Sequence, residues 1–365
     1  MDHASLHADV RRAWTLPSRY YADPALHAQC LEQVFARSWQ LAAWIDQVKV
    51  PGAVHPVTLL EGGLDEPILF TRDRDDQIHC LSNVCTHRGN LVCEGSGTAN
   101  SLRCRYHGRR FGLDGKMQFM PEFEGVEGFP AATDDLPAVP WGAWRQFLFA
   151  QGSPEVPEYS VAEFLKEVED RVGFLPIEEF IHAPERGRDY LVKGNWALYV
   201  DNYLEGFHIP YIHAALNATL DYGNYRTELL TYGNLQLGVA GDGEEGFDLP
   251  ANHPDAGQRI AAYYFWMFPN LMLNFYPWGL SINIVKPLGP ELTKVSFIPF
   301  VWRPEKLAQG AGAILDRVER EDEAVVELVQ RGVKSRFYDR GRYSPEREKG
   351  VHQFHHLLLE AMQRV

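Results

Sequence analysis

Two short segments of the chain carry the residues best suited to bind a metal cluster. Cys85 and His87 form a C-x-H segment, and sixteen residues later Cys104 and His107 form a C-x2-H segment. A Rieske-type 2Fe–2S cluster takes two thiolates on one iron and two imidazoles on the other, which raises its reduction potential. Because each segment supplies one ligand of each kind, the sequence predicts that these four residues bind such a cluster.

A zinc site is the alternative use for two cysteines and two histidines. Zinc fingers pair like ligands, as C-x2–4-C and H-x3–5-H, whereas both segments here are mixed, which favours the cluster. Respiratory Rieske proteins carry a further cysteine in each loop, where this chain has Asn90 and Tyr106, and that class is excluded. Cys30 and Cys80 lie in apolar patterns typical of a core, and Cys93 is predicted to pack near the cluster without binding it.

A second candidate metal site, Glu205-x2-His208-x4-His213, lies further along the chain. Two histidines and one carboxylate on one face hold ferrous iron and leave positions open for dioxygen and substrate. The two histidines are five residues apart, which on a straight helix separates them by about 140°. Pro210 lies between them and removes a helical hydrogen bond, so we expect a distortion that turns both inward. Histidines beside aromatic residues are often core residues, and the cluster segments in the same chain are what favour an iron site.

The two sets of residues together resemble one enzyme family. The string CTHRGN…CRYHGRRFGLDG is similar to the Rieske domains of ring-hydroxylating oxygenases. The segment from Asn195 through Glu205 and His208 to His213 resembles the catalytic motif of Rieske non-haem iron oxygenase large subunits. The resemblance runs from about residue 39 to the C-terminus. It implies a small all-β Rieske domain, a helix-grip catalytic domain and a trimeric assembly.

The resemblance also implies roles for acidic residues. In the family, a carboxylate three residues before the first histidine bridges a cluster histidine of the neighbouring subunit to an iron ligand. By position this carboxylate is Glu205, and its partner is His107. Candidates for the third iron ligand lie on one predicted helix: Glu319, Glu321, Asp322 and Glu323. The family's ligand is the aspartate that follows a glutamate, which corresponds to Asp322, and the neighbouring carboxylates are expected on a solvated face.

The glutamate at position 205 also bears on the substrate. Most ring-hydroxylating dioxygenases have aspartate there, whereas carnitine and related quaternary-ammonium monooxygenases have glutamate, and the segment from His208 to Tyr211 resembles choline monooxygenases. Aromatic residues of the expected active-site strands could cage a quaternary ammonium through cation–π contacts, although any one of them is more often a core residue. They are Tyr203, Phe207, Tyr211, Tyr264, Trp266, Phe268, Phe275, Tyr276 and Trp278.

The predicted function is that of an oxygenase component that hydroxylates or demethylates a small organic substrate, with a choline-, betaine- or carnitine-like compound favoured. Electrons are expected from NAD(P)H through a separate reductase or ferredoxin, because the chain shows no nucleotide-binding G-x-G-x-x-G, the pattern in which the glycines follow a strand and open a helix. They are expected to pass from His107 through Glu205 to the iron across a subunit boundary. Two alternatives stay open: an aromatic-ring hydroxylating dioxygenase or O-demethylase with a flat apolar pocket, and an electron carrier with a vestigial iron site. His352, His355 and His356 are expected at the surface or at an interface rather than in a third metal site.

The elements that must position these residues predict an α+β fold. A helical segment over residues 1–38 is expected to pack on the catalytic domain, with a small β domain over 39–152 and a mononuclear iron domain over 153–365. The predicted strands are 67–71, 78–84, 280–288 and 292–302, the last two forming a hairpin. The predicted helices are 161–172, one begun by Asn195, 311–330 and 345–362.

Charge and composition exclude some partners and compartments. The 365 residues carry a formal net charge of −14 and a pI near 5.5, which argues against nucleic acid or an anionic membrane. No signal peptide is expected from residues 1–5. The apolar run 263–280 is interrupted by Pro269, Asn270, Asn274 and Pro277, so two strands around a turn are expected instead of a membrane span. Five cysteines, an odd and sparse set, predict a reducing compartment, the cytoplasm.

Overall fold

The chain folds as two units. The structure, a computed structural model, describes residues 6–313 and 315–363. One unit is formed by Phe35–Leu165 and the other by the segments on either side of it. The boundaries predicted after residues 38 and 152 lie near these edges and stay predictions, and the prediction made for residues 1–5 lies outside the described residues. No helix in the described ranges is long and apolar enough to cross a membrane.

The N-terminal segment is helical, as predicted. A 3₁₀ turn at Ser18–Tyr21 leads to α1 (Pro24–Cys30), which continues as the π-helical turn Leu31–Phe35. Asp23 begins α1, because its carboxylate accepts the backbone N–H of Ala25 at 2.8 Å. The Tyr21 hydroxyl donates a hydrogen bond to Asp201 at 2.9 Å, which attaches this segment to the rest of its unit.

The unit Phe35–Leu165 is built from three small antiparallel sheets. Their orders are β1-β10-β9, β4-β3-β2-β5 and β6-β7-β8, and α2 (Val161–Phe164) lies near the end of the unit. The strands are β1 (Gln40–Trp44), β2 (Ala53–Leu59), β3 (Glu66–Arg72), β4 (Ile78–Ser82), β5 (Gly97–Thr98), β6 (Leu102–Arg103), β7 (Arg110–Phe111), β8 (Met117–Phe119), β9 (Trp141–Trp144) and β10 (Phe147–Ala150). β3 and β4 confirm the strands predicted at 67–71 and 78–84.

Strand β3 separates two buried clusters of this unit. Successive side chains of a strand point to opposite faces, and Ile68 and Phe70 accordingly lie in one cluster while Leu69 lies in the other. The cluster on the Leu69 side also contains Cys85 and Cys104, both almost fully buried. The sheet β4-β3-β2-β5 therefore shares a buried cluster with the cysteines of both segments.

The other unit contains one eight-stranded antiparallel sheet. Its order is β11-β18-β17-β16-β15-β14-β13, with β12 also paired to β18. The strands are β11 (Ile181–His182), β12 (Arg188–Val192), β13 (Arg226–Leu230), β14 (Gly233–Val239), β15 (Ile260–Met267), β16 (Leu271–Tyr276), β17 (Gly279–Gly289) and β18 (Leu292–Val301). The apolar run 263–280 contributes to β15 and β16 around a turn, and β17 pairs with β18 as a hairpin, both as predicted.

Helices accompany this sheet and confirm the α+β class. They are α3 (Lys166–Val172), α4 (Trp196–Tyr203), α5 (Ile209–Ile212), α6 (Ala214–Thr219), α7 (Leu315–Val333) and α8 (Lys349–Gln363). Asn195 caps α4 as predicted, since its side chain accepts the Ala197 N–H at 2.9 Å. α7 and α8 begin later than predicted, at Leu315 and Lys349. A 3₁₀ turn precedes α7, and before α8 Ser344 and Glu348 are hydrogen-bonded to each other.

Two of the three C-terminal histidines contradict their predicted position at the surface or at an interface. His355 is fully buried, with Nδ1 2.5 Å from the Tyr343 hydroxyl and Nε2 2.8 Å from the Asp201 carboxylate. His352 is also buried, and only His356 is half-exposed. The imidazoles can be buried because hydrogen-bond partners satisfy them, a condition that helical periodicity alone does not reveal.

Candidate active site

The two cysteine segments fold into equivalent turns. The Gly89 N–H donates to the Cys85 carbonyl at 2.9 Å, and the Gly108 N–H donates to the Cys104 carbonyl at 3.0 Å. Both glycines have positive φ, 71° and 79°, a conformation that L side chains adopt rarely. Both turns therefore close in the same way. In each of them the cysteine is buried and the histidine is more exposed.

The four predicted cluster ligands separate into a sulfur side and an imidazole side. The rings of His87 and His107 lie 4.7 Å apart between centroids, and Nδ1 of His87 is buried without a hydrogen-bond partner. Burial raises the pKa of the Cys85 thiol, while a hydrogen bond from the His87 backbone opposes this and the neighbouring Cys104 adds to it. Two cysteines on one side and two imidazoles on the other, one of them with an unsatisfied nitrogen, fit a 2Fe–2S cluster.

The arrangement of these four residues favours a cluster over a single zinc ion. Tetrahedral zinc would bring all four ligand atoms close together. In the described part of the chain, only one group of three or more histidine, cysteine or acidic side chains has ligand atoms within 4.8 Å of one another, and it lies in the other unit. The distribution of the cysteine and histidine ligands therefore favours two metal ions over one.

Buried polar side chains hold the two turns in place. Arg109, with a side chain 2% exposed, donates to the Thr86 hydroxyl at 3.1 Å and pairs with Asp134 at 2.5 Å. The Asn90 amide lies 3.7 Å from the Cys104 sulfur. Cys93 packs against the same buried cluster of side chains, as predicted. Arg109 thus connects the second turn to the first.

In the other unit, His208 and His213 lie at the two ends of the short helix α5. His208 precedes its first residue, and His213 ends it with φ −108° and ψ 68° before α6 begins. The expectation for Pro210 was wrong in its cause, because this proline occupies the first turn of α5, where no helical hydrogen bond is lost. The non-helical backbone of His213 is what lets both imidazoles face the same point.

Asp322, from α7, completes a group of three. The two Nε2 atoms lie 3.1 Å apart, and Oδ1 of Asp322 lies 3.0 Å from Nε2 of His213 and 3.5 Å from Nε2 of His208. For metal–ligand bonds near 2.1 Å, ligands at right angles lie roughly 3.0 Å apart. The three atoms therefore fit one face of an octahedral iron site.

Two carboxylates orient the two candidate histidine ligands. Glu205 lies 2.6 Å from Nδ1 of His208, and Glu321 lies 2.8 Å from Nδ1 of His213. Because carboxylates only accept hydrogen bonds, each Nδ1 carries the proton and each Nε2 presents its lone pair. Burial lowers the pKa of His213, but Asp322 and Glu321 raise it on balance, so a proton and a metal ion compete for this imidazole.

The four acidic candidates on α7 differ in what they contact. Glu321 accepts a hydrogen bond from Nδ1 of His213, the ring nitrogen that faces away from the other two candidate ligands. Glu323 is half-buried and lies outside the group. Glu319 is buried, and its Oε2 accepts the Tyr199 hydroxyl at 2.7 Å. Among the described residues, Asp322 is the one acidic side chain that joins the two histidines within ligand distance.

A cavity of about 110 Å³ lies against this group. Its lining mixes tyrosines, amides and carboxyls with a few aliphatic side chains. The lining residues are Tyr199, Asn202, Tyr203, Glu205, His208, Ile209, His213, Leu216, Leu220, Tyr225, Gln236, Tyr264, Asn274, Tyr276, Asn283, Phe297, Leu315, Val318, Glu319 and Asp322. Three of the predicted aromatic residues, Tyr203, Tyr264 and Tyr276, are among them.

The other predicted aromatic residues lie elsewhere. Phe207 and Tyr211 are exposed, and the remaining four are buried outside the lining: Trp266, Phe268, Phe275 and Trp278. Trp266 packs against Phe354 of α8 at 5.2 Å between ring centroids, further along the strand than Tyr264.

Sequence reasoning missed the partners of the acidic helix. Tyr199 and Asn202 of α4 face Glu319 and Asp322 of α7, and Asn202 donates to Oδ1 of Asp322 at 2.7 Å. The shared spacing of three residues on each helix is a signal that was available, because residues three apart lie on one helix face.

Comparisons with known proteins agree with this geometry. Residues 180–364 match the catalytic domain of the ring hydroxylating alpha subunit family, and residues 38–130 match the Rieske [2Fe-2S] domain. The chloroplastic choline monooxygenase of Arabidopsis thaliana is 31% identical over 96% of this chain and 83% of that protein.

Two further proteins are similar over nearly the full length. The carnitine monooxygenase oxygenase subunit of Escherichia coli K12 is 28% identical over 97% of this chain and 95% of its own. A solved quaternary ammonium Rieske monooxygenase superposes with a TM-score of 0.80 at 23% identity, covering 98% of this chain and 100% of that one. At 23% identity, the similarity to this solved structure shows the fold alone.

Proposed function

The chain belongs to the ring-hydroxylating alpha subunits of the Rieske non-haem iron oxygenases, and on that premise we propose that its substrate is a small quaternary ammonium compound. Membership of this family implies that the chain binds a Rieske cluster and a mononuclear iron and acts as an oxidoreductase on dioxygen. The observation that carries the proposal is the tyrosine-lined cavity against His208, His213 and Asp322. Aromatic faces attract a quaternary ammonium, and the sequence relatives include choline and carnitine monooxygenases.

We assign ligands to both metal groups within this proposal. The cluster is held by Cys85, His87, Cys104 and His107. The iron is held by His208, His213 and Asp322. When bound, the cluster stores one electron and the iron activates dioxygen, which is the chemistry that hydroxylation or demethylation requires. Glu205 and Glu321 keep the two iron-binding imidazoles in the tautomer that presents Nε2.

Substrate-coupled oxygen consumption tests the proposed function. The holoenzyme, with a surrogate reductase and NADH, is supplied with a panel of quaternary amines and aromatic acids. We expect oxygen uptake and product formation in equal amounts with a quaternary amine, and released formaldehyde if a methyl group is removed. Coupled uptake with aromatic acids alone would favour the ring hydroxylase or O-demethylase instead. No coupled uptake, with only the iron of one cluster, would favour the electron carrier.

The cavity supports the first of these outcomes. A flat apolar slot suits an aromatic ring, whereas this lining carries amide and carboxyl groups such as Gln236, Asn274 and Glu319. The grouped His208, His213 and Asp322 disfavour a vestigial site.

The assembly is part of the proposal, because Glu205 then links two subunits. Its carboxylate holds His208, and in a homotrimer it would also face His107 of a neighbouring subunit. With the iron site saturated by excess ferrous iron, we expect Glu205→Gln to slow reoxidation of the reduced cluster by dioxygen and substrate by about 10²-fold or more. Stopped-flow absorbance measures this rate. Reoxidation of the cluster at the wild-type rate in the Glu205→Gln variant would contradict a role of Glu205 between two subunits. Full activity of an isolated monomer would contradict it as well.

Glu321 is expected to tune iron affinity through His213. Replacing it in Glu321→Gln removes the charged partner of Nδ1, and loss of such a partner lowers metal affinity by about 10–100-fold. Competition with a ferrous chelator measures the affinity, and Glu323→Gln on the same helix is the control. Equal affinities in Glu321→Gln and the wild type would show that the Nδ1 contact does not support the metal.

We also retain the predicted partner and compartment as proposals. A separate reductase or ferredoxin supplies electrons. The odd, sparse set of five cysteines supports a reducing compartment, the cytoplasm, and cell fractionation tests this location.

A further inference from the structure

Glu319 is a buried carboxyl group with one unsatisfied oxygen. The residue is 4% exposed, and Tyr199 donates to its Oε2 at 2.7 Å. Its Oε1 is buried and has no hydrogen-bond partner, and no lysine or arginine pairs with the group in the described part of the chain. Burial raises the pKa of this carboxyl well above its usual range. A cation bound beside it would favour the ionised form of this carboxyl, and no lysine or arginine of the described lining supplies that charge.

The position of Glu319 connects it to the iron site. It lies one helical turn before Asp322 on α7, and residues three apart on a helix have Cβ atoms about 5–6 Å from each other. Both residues line the same cavity and are held from α4, by Tyr199 and Asn202 respectively. A positive group beside Glu319 would therefore bring carbon atoms one or two bonds away close to the candidate iron.

The charges around the cavity are one-sided. Glu205 accepts a hydrogen bond from His208, and Asp322 belongs to the iron group, which leaves Glu319 as the lining carboxyl bonded to neither an imidazole nor the candidate metal site. None of the described lining residues is a lysine or arginine. A quaternary ammonium has no N–H to donate, so it is held by negative charge and aromatic faces instead of directional hydrogen bonds. A carboxylate on the substrate would find no lysine or arginine among the described lining residues, and an ionised Glu319 would repel it.

We propose that Glu319 is a specificity-determining residue that binds the positive charge of the substrate, and that the cavity selects quaternary ammonium compounds without a carboxylate over zwitterions that carry one. The inference rests on the proposed function and narrows its substrate class. Tyr203, Tyr264 and Tyr276 provide aromatic surface, and Glu319 provides the charge.

Equilibrium binding to the anaerobic, iron-loaded holoenzyme tests this selection. The probes are choline, a cation; L-carnitine, a zwitterion with a carboxylate; and 3,3-dimethylbutan-1-ol, the uncharged carbon analogue of choline. The wild type is expected to bind choline at least about tenfold more tightly than either of the others. Glu319→Gln keeps a partner for Tyr199 and is expected to weaken choline about 30-fold or more, with the uncharged analogue unchanged. Glu323→Gln, on the same helix and outside the cavity, is the matched control, and Glu319→Asp should retain part of the affinity.

Specific outcomes overturn the inference. Wild-type protein that binds L-carnitine as tightly as choline would exclude the selection without any variant. If Glu319→Gln weakened choline and its uncharged analogue alike, or neither of them, Glu319 would have only a structural role. These results would leave substrate-coupled oxygen consumption with quaternary amines intact, whereas failure of that separate assay would remove the proposed function itself.

Discussion

Asp322→Ala is expected to lower product formation by about 10³-fold or more while leaving the Rieske cluster in place. The substitution removes one of three candidate iron ligands and leaves two imidazoles, which bind ferrous iron poorly. Total iron should fall from about three atoms per chain to about two, since only the mononuclear site is emptied. Metal analysis and substrate-coupled oxygen consumption measure the two effects.

The cluster provides an internal control for this variant. Its rhombic electron paramagnetic resonance signal after dithionite reduction should be unchanged, which shows that the chain has folded. Glu323→Ala changes the adjacent residue on α7 and should retain iron and activity. An active Asp322→Ala variant with its full iron content would mean that another carboxylate, with Glu321 the nearest candidate on α7, is the ligand.

Cys104→Ser is expected to remove the cluster signal and to reduce turnover below roughly one-thousandth of the wild-type rate. A serine oxygen binds iron in such a cluster less well than a thiolate, and without the cluster no electrons are stored for the iron site. The absorbance and the rhombic resonance, with its average g value below that of the free electron, should both disappear. Iron should fall to about one atom per chain.

Cys93→Ser is the matched control for the cluster variant. Cys93 packs against the same buried side chains as Cys104 but is predicted to bind no iron. It should therefore keep the signal and the activity. Loss of the cluster in Cys93→Ser, or its survival in Cys104→Ser, would contradict the ligand assignment.

Much of the fold could be predicted from local patterns. Asn195 was identified as a cap because its side chain can satisfy a backbone N–H at the start of a helix. The hairpin β17–β18 was found because two long apolar strands flank a Gly-Pro-Glu turn. The hairpin β13–β14, at the edge of the same sheet, was missed. β14 is almost entirely buried yet contains Asn234, Gln236 and two glycines, and a Cβ at Gly233 would lie 1.9 Å from the Trp266 carbonyl oxygen. The composition of β14 is set by its contacts with β15, and the sequence of β14 alone does not reveal these contacts.

The candidate ligands could be predicted because metal chemistry restricts residue types more strongly than packing does. Few structural roles besides metal binding require thiolates, imidazoles and carboxylates at such spacings. Their supporting residues could not be predicted, because Asn202 and Tyr199 reach Asp322 and Glu319 only through the register of α4 against α7. The buried His355 was missed for the same reason, since its partners Tyr343 and Asp201 come from other segments.

The two sets of candidate ligands differ in how much of the chain must be synthesised before each set is complete. Cysteines and histidines of the first set fall between positions 85 and 107, within a few short hairpins, so that pocket can take shape early in synthesis. His208 and His213 must instead wait for Asp322, which follows six intervening strands, β13 to β18. An incompletely synthesised chain that ends before α7 therefore lacks one of the three candidate iron ligands.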